Sequence, residues 1–262
     1  MDDLHESRAL AGLIAGAERI LLFTGAGIST ASGIPDYRGP QGVWKTRRPV
    51  YYQEFMESEE HRKAYWQQKM EDAASWGAAR PNPVHRAIVR LEQVGKVEMV
   101  VTQNVDGLHA VAGTSREKLV EIHGTNLLVE CQSCRERTDP EPHFATFRET
   151  GTPPSCHCGG ALKTATISFG QNLRTDELER AFEAADRCDL AIALGSSLTV
   201  NPAAAIPLYA TERGTPYVIV NQGPTDHDRL RVVTLRIEGD VSAVFPAAVE
   251  AALDVTPGTA HP

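Results

Sequence analysis

Thr24-Gly25-Ala26-Gly27-Ile28-Ser29-Thr30-Ala31-Ser32-Gly33-Ile34-Pro35-Asp36-Tyr37-Arg38-Gly39 follows an apolar run at residues 19–23 and places glycines, hydroxyls, an acid and an arginine in one loop. The run has the composition of a buried strand, and the loop that of a strand-to-helix turn. Glycines there allow the backbone to approach a phosphate, and the N-terminus of a following helix would present N–H groups and a positive dipole end to it. The stretch therefore predicts an α/β fold with a dinucleotide held at a strand end. It departs from the dehydrogenase fingerprint in two ways. Thr30 stands where the third glycine belongs, and the region about twenty residues on reads Lys45-Thr46-Arg47-Arg48, with no acid for an adenosine ribose. Hydride transfer is disfavoured on both counts.

Working outward, apolar β-branched runs recur at 97–102, 119–122, 189–194, 216–220 and 232–237, and helical patterns at 4–17, 84–94, 176–187, 202–212 and 241–253. Strands alternating with helices predict a parallel sheet covered on both faces, with ligands at the carboxyl ends of the strands. Four more polar clusters fall at such ends: Gln103-Asn104-Val105-Asp106, His123-Gly124, Gly195-Ser196-Ser197 and Asn221-Gln222. Together they imply one shared crevice. Each has a plainer reading, as a turn, a helix cap or a structural histidine. Two segments break the alternation: a polar, aromatic helical excursion at 39–80 and a proline- and cysteine-bearing module at 127–168. The tail, 256–262, is expected to be disordered.

The module spells Cys131-x2-Cys134-x21-Cys156-x-Cys158. Two pairs about twenty residues apart are the layout of a closed structural zinc site. The second pair is one residue short, so His157 or His143 is an alternative ligand, with four thiolates preferred. The fifth cysteine, Cys188, flanks an apolar strand and is expected to be buried. Thiols in this pattern suit a reducing compartment, and the polar start of the chain is no signal peptide, so a cytoplasmic protein is expected. A net charge of −8, from 26 basic and 34 acidic residues, argues against direct nucleic-acid or membrane binding.

Taken in order, Gly-Ala-Gly-Ile-Ser, Gly-Ile-Pro-Asp-Tyr-Arg-Gly, Thr-Gln-Asn-Val-Asp-Gly-Leu-His, His-Gly, two cysteine pairs, Gly-Ser-Ser-Leu and Gly-Asp-Val resemble the sirtuins, the NAD-dependent protein-lysine deacylases. The motifs around Trp44, His123 and Asn221 look closest to the branch of the chromatin-associated nuclear enzymes (class IV). The resemblance implies a Rossmann-type parallel sheet domain (1–38, 81–126 and 169–255) with an inserted smaller zinc-binding and helical domain. It implies NAD and one structural zinc, and an acylated lysine of a protein or peptide as partner of a monomeric enzyme. His123 would be the general base, Asn104 would serve the ribose and reacting water, and Asp106 the nicotinamide amide. Gly25, Ala26, Gly27, Thr30, Gln103, Gly195, Ser196 and Ser197 would hold the dinucleotide, with Asn221 on the adenosine ribose and Val241 on adenine. Ile34, Asp36, Tyr37, Arg38 and Trp44 would line or cover the nicotinamide pocket.

The segment 164–170 matches the strand that pairs with substrate. The branch that removes malonyl and succinyl groups carries Tyr-x-x-Arg in the excursion. Here Tyr65 is followed by Gln68, which implies uncharged acyl chains. Two alternatives stand beside the deacylase: a protein mono-ADP-ribosyltransferase, and a non-catalytic NAD-sensing or zinc-dependent binding module.

Overall fold

The structure, a computed structural model, describes residues 2–39 and 42–254; the 256–262 tail and Pro40 and Gln41 of the loop lie outside the described residues. Helix α1 (Asp2–Gly16) leads into β1 (Ile20–Thr24), whose five residues are all buried. The excursion forms α2 (Tyr52–Glu57) and α3 (Glu59–Trp76). Glu54 reaches back to the Tyr51 amide at 2.9 Å to start α2, and Ser58 accepts the His61 amide at 3.4 Å to start α3. Helix α4 (Pro83–Gln93) opens on Asn82, whose Oδ1 accepts the Val84 amide at 2.9 Å, with Pro83 at the first helical position. Strand β2 (Val97–Thr102), α5 (Leu108–Ala112) and β3 (Leu119–Glu121) follow. The cysteine-bearing module comprises β4 (Gly124–Cys131), β5 (Arg137–Thr138), α6 (Glu141–Thr150) and β6 (Leu162–Thr166). The chain closes with α7 (Thr175–Arg187), β7 (Leu190–Leu194), α8 (Ala205–Thr211), β8 (Tyr217–Asn221), β9 (Leu235–Glu238) and α9 (Val241–Asp254).

Six strands pair in parallel in the order β3-β2-β1-β7-β8-β9. Alternate residues point to opposite faces, and both faces are covered. Leu22, Val100, Ile192 and Val218 pack with Leu10 of α1, Ile88 of α4 and Phe245 of α9. Leu21, Phe23, Val101, Ala191 and Ala193 pack with Ala181 and Ala184 of α7 and Ile206 of α8. This two-sided burial is why the strands read as unbroken apolar runs rather than alternating ones. The last strand starts later than its apolar run: Val232 is 44% exposed, and pairing with β8 begins only at Leu235 against Val218. An apolar residue without a neighbouring strand to pair with does not extend the ladder. Likewise, α8 begins at Ala205, three residues after the pattern starts, because residues 201–204 form turns.

From β1 the chain runs one way through β2 and β3 and later the other way through β7, β8 and β9, so the topological switch lies between β1 and β7. Thr24 is in register with Thr102 on one side and Leu194 on the other, and Leu194 with Val220. The four central strands therefore end level, and a crevice opens above the switch.

The smaller unit is the antiparallel sheet β5-β4-β6 with α2, α3 and α6. Phe55, Tyr65 and Trp66 of the helical pair share one core with Val129, Phe144, Phe147 and Leu162 of the module. Trp66 is fully buried and donates its indole N–H to the Leu162 carbonyl at 3.1 Å. Among the described residues no helix is long and apolar enough to cross a membrane. Trp66→Ala removes the largest side chain of this core and orphans that carbonyl, and is expected to cost about 3–5 kcal/mol of stability, read as a lower denaturation midpoint in urea.

Candidate active site

Two strand-end loops meet above the switch point through bare backbone. The Gly25 amide donates to the Leu194 carbonyl at 2.9 Å and the Gly27 amide to the Gly195 carbonyl at 2.8 Å. A Cβ at Gly25 would stand 2.6 Å from the Gly195 oxygen, and one at Gly27 2.8 Å from the Gly195 Cα. Gly195 has φ +61, and its own Cβ would lie 2.6 Å from the Ile28 nitrogen. These glycines serve the contact of one loop with the other.

The α-helix expected after the loop is also absent. Residues Ala26–Ile28 and Thr30–Ser32 form single 3-10 turns, closed by Gly33 at φ 85. Pro35 explains the interruption: it has no amide to donate and disfavours helical backbone at the residue before it. The amides of Ile28, Ser29, Ser32 and Gly33 are committed to carbonyls within the loop.

At the strand ends lies a cavity of about 1160 Å³, larger than the roughly 300–1,000 Å³ usual for one small molecule. Of the residues expected around the dinucleotide, Gly25, Ala26, Gly27, Thr30, Asp36, Tyr37, Arg38, Trp44, Gln103, Asn104, His123, Gly195, Ser196, Ser197, Asn221 and Val241 line it. Ile34 and Asp106 do not. Ile34 is 5% exposed, and Asp106 accepts the Ser29 hydroxyl at 2.7 Å and the Leu108 amide at 2.9 Å. Ser29 had no assigned role in the sequence reading, yet it joins the two loops. It donates to Asp106 and accepts from the Asn104 side-chain amide at 3.2 Å, which also donates to the Gly25 carbonyl at 3.1 Å. With both amide protons engaged, Asn104 keeps its Oδ1 to accept a hydrogen bond from a ligand.

His123 Nδ1 lies 3.2 Å from the Gln103 carbonyl, which can only accept. The proton therefore sits on Nδ1, and the Nε2 lone pair is free on a residue that lines the cavity. Burial lowers the pKa of this histidine; the Gln103 hydrogen bond opposes that shift and the Arg38 charge adds to it. Gln103 Nε2 also donates to the Ser196 hydroxyl at 2.8 Å, tying the β2 end to the β7 end. Also lining the cavity, Tyr37 and Phe169 pack against Trp44, one tilted and one edge-on, with centroids 4.9 and 5.1 Å away, and the Arg38 guanidinium lies 4.1 Å from the Trp44 ring centroid. Phe169 and Thr166 bring the 164–170 segment to the same cavity. At the far side, the Arg236 guanidinium holds the carbonyls of Asn221 at 3.0 Å and Gly223 at 2.6 Å, setting the turn after β8.

The strand-end cavity fits a dinucleotide. It offers the Asn104 Oδ1 acceptor and the hydroxyls of Ser196 and Ser197 along a wall built by the switch-point loops. The cysteines fit zinc. The four Sγ atoms of Cys131, Cys134, Cys156 and Cys158 lie within 4.8 Å of one another, with Cys131–Cys158 at 3.5 Å and Cys134–Cys156 at 3.7 Å. A tetrahedral ion with Zn–S of about 2.3 Å needs edges of about 3.8 Å. The shortened second pair reaches the cluster because Gly160 leaves room: a Cβ there would be 2.6 Å from Cys131 Sγ. His143 is engaged by the Thr138 hydroxyl at 2.7 Å and lies outside the cluster, while His157 pairs with Glu136 at 3.1 Å. Cys188 is buried, as expected from its place beside a strand.

A parallel sheet with a switch-point cavity, joined to a cysteine-clustered module that contributes to the same cavity, defines a dinucleotide-site protein of two unequal units. The sequence profile of the Sir2 family matches residues 25–202, and the chain belongs to that family. The NAD-dependent protein deacetylase of Rhodopseudomonas palustris is 42% identical over 228 residues, covering 87% of this chain and 90% of that one. The NAD-dependent protein deacetylase 2 of Streptomyces coelicolor is 40% identical over 227 residues, 84% of this chain and 93% of that one. Among solved structures, one addressing the mechanism and regulation of Sir2 enzymes superposes with a TM-score of 0.85 at 36% identity, covering 96% of this chain and 99% of that one. A Sir2 complex with a p53 peptide and NAD+ superposes at 0.79 with 33% identity, covering 94% and 95%.

Two outcomes are expected from this geometry. The purified protein should carry one zinc per chain, and Cys131→Ser or strong chelation should unfold the module, seen as lost metal and a lower melting temperature; full stability without metal would contradict the closed site. Separately, the rings of His85 and His109 lie 5.0 Å apart in the interior. Burial lowers the first to about 4 and the second to about 3, the His85 charge adding to the latter. A depressed pKa in the fold means that their contribution to stability is complete above the ordinary imidazole value and is lost as pH falls toward 4 and 3. Unfolding free energy should therefore decline below about pH 6.5, and His109→Gln should flatten that slope.

Proposed function

We propose that this chain is an NAD-dependent protein-lysine deacylase. One water is consumed as the acyl group of an N-acyl-lysine passes to the ADP-ribose of NAD and nicotinamide leaves, and free lysine and an O-acyl-ADP-ribose are the other products. The observation that carries the reading is that one continuous cavity is lined both by the strand-end loops and by the 164–170 segment, with His123 on its wall. The names of its relatives and the peptide and NAD+ found in a structural neighbour support the same reading. When bound, NAD supplies the leaving nicotinamide and the ribose hydroxyls that receive the acyl group.

The chain's own residues then have distinct tasks. His123, protonated at Nδ1 by its hydrogen bond to Gln103, takes a hydroxyl proton at Nε2. Asn104 Oδ1 accepts from the ribose or the reacting water. Asp106 acts through Ser29, holding Asn104 in place rather than lining the cavity. The aromatic wall of Tyr37, Trp44 and Phe169 keeps water from the reacting end. Residues 39–80 and 127–168 constitute the smaller domain and the zinc site serves its stability. The likeness to the chromatin-associated branch rests on the motifs around Trp44, His123 and Asn221. The acidic net charge of −8 supports an enzyme with no direct nucleic-acid or membrane partner, and the thiol-rich module a cytoplasmic one.

His123→Ala should lower turnover of an acetyl-lysine peptide by about 10²–10⁴-fold, measured as O-acetyl-ADP-ribose formed per unit time by mass spectrometry. Because burial depresses its pKa, the wild-type kcat/KM should rise with pH along an acid limb centred below the ordinary imidazole value and stay flat through neutrality. Equal rates for wild type and variant would remove His123 from the base role. ADP-ribose left on protein, with no O-acyl product, would point to the transferase instead.

A further inference from the structure

The loop after β1 makes two 3-10 turns, Ala26–Ile28 and Thr30–Ser32, that meet at Ser29, which closes the first and opens the second. A continuous α-helix would carry its carbonyl bonds across such a joint; two short turns do not. Before the joint, the Gly25 carbonyl accepts the Ile28 amide at 3.1 Å, the Ala26 carbonyl the Ser29 amide at 3.0 Å and the Gly27 carbonyl the Thr30 hydroxyl at 3.0 Å. Beyond it, the Ser29 carbonyl accepts the Ser32 and Ile34 amides at 3.0 and 3.2 Å, and the Thr30 carbonyl the Gly33 amide at 3.0 Å. The Ile28 carbonyl, at the joint itself, finds no donor inside the loop among the described residues. Its hydrogen bond comes from outside, from Asn82 Nδ2 at 2.6 Å.

Asn82 is 5% exposed and does not line the cavity. Its neighbours fix which way its amide points. A peptide carbonyl can only accept, so Nδ2 faces Ile28, and a peptide amide can only donate, so Oδ1 faces Val84. The second Nδ2 proton goes to the Ser32 hydroxyl oxygen at 2.9 Å. Capping α4 needs only the side-chain oxygen, which serine would supply as well. Both amide protons go to the loop, one on each side of the joint. The half before the joint is fixed by its glycine contact with the β7 loop, and the half after it leads to Asp36, Tyr37 and Arg38 on the cavity wall. Helix α4 is a firm base for this grip, because Val84, Ile88 and Leu91 are buried in one core with Ile28.

We propose that Asn82 is a positioning residue for NAD: by holding Ile28 and Ser32 together across the joint, it sets where Asp36, Tyr37 and Arg38 stand on the cavity wall. This rests on the deacylase reading and adds to it a residue that touches neither substrate nor cofactor. Without the two donors the Ile28 carbonyl is buried and unpaired, a cost that the loop relieves by turning it toward water. The arm beyond Ser29 then leaves its place, while the glycine contact, Asn104 and His123 keep theirs.

The test compares three variants of the full chain: Asn82→Ser, which keeps a cap but stops short of Ile28; Asn82→Ala, which lacks both; and Ile88→Val, a core change in the same helix. Calorimetry with NAD should show about 10-fold weaker binding in both Asn82 variants and wild-type binding in Ile88→Val. With an acetyl-lysine peptide, kcat/KM for NAD should fall by about 10- to 100-fold in the Asn82 variants, with the KM for peptide unchanged. Melting temperature separates the cap from the grip: it should drop in Asn82→Ala and stay near wild type in Asn82→Ser. In the NAD-free protein, hydrogen exchange of Asn82→Ser should quicken at residues 30–39 and not in α4. Wild-type NAD affinity and exchange in Asn82→Ser would reduce Asn82 to a helix cap and overturn the proposal. So would an equal loss of NAD affinity in Ile88→Val, which would trace the effect to the stability of α4. Weaker NAD binding in Asn82→Ser, from a protein that forms no O-acyl product, would sink the deacylase reading and leave the positioning role standing.

Discussion

Everything in the site depends on two backbones touching with no side chain between them. The loop after β1 and the loop after β7 meet at Gly25, Gly27 and Gly195, closer than any Cβ would permit. Two amide-to-carbonyl bonds hold them there. Because the strands end level, this contact brings the β2 loop alongside, and Ser29 can reach both Asp106 and Asn104. Gln103 completes the tie by bonding Ser196 with its amide and His123 with its carbonyl. A methyl group at either of the first two glycines would part the loops and so loosen residues that it never touches.

The site separates its charges by position. His123 is kept neutral by burial, with its proton held on the nitrogen that faces Gln103. Asp106 sits behind Ser29 and does not line the cavity, and Arg135, Arg137 and Arg174 converge on Glu130 instead of on the crevice. The cavity wall itself carries both signs: Arg38, Lys45 and Arg47 line it together with Asp36, Asp72, Glu238 and Asp240. Different parts of one ligand pair would thus meet different electrostatic surroundings along a single wall.

The parallel sheet was legible because strands buried on both faces, such as Leu190–Leu194, leave unbroken apolar runs flanked by helical periods. The positions of the polar clusters followed from that, since each closes a strand. Sequence periodicity carries no record of strand order, so the neighbouring of β1 and β7, 170 residues apart by the Arg19–Asp189 contact beside them, emerges only from the fold. The glycines show a related limit. Their pattern says that something must come close, and only the structure shows that it is Gly195. Ser29 escaped notice because a hydroxyl in a loop is ordinary until its partners are known.

The shared core of the smaller unit has a consequence for the order of events on the ribosome. Trp66 is made long before Leu162, the residue whose carbonyl receives its indole proton. Helices α2 and α3 emerge with Phe55, Tyr65 and Trp66 uncovered, and nothing translated before β4 can cover them. β1 waits longer still, because one of its neighbours, β7, emerges after the whole module. Vectorial synthesis thus leaves the nascent chain holding exposed aromatic surface for nearly a hundred residues, the interval from Trp66 to Leu162. A chaperone that engages the emerging chain would find its apolar target in that interval.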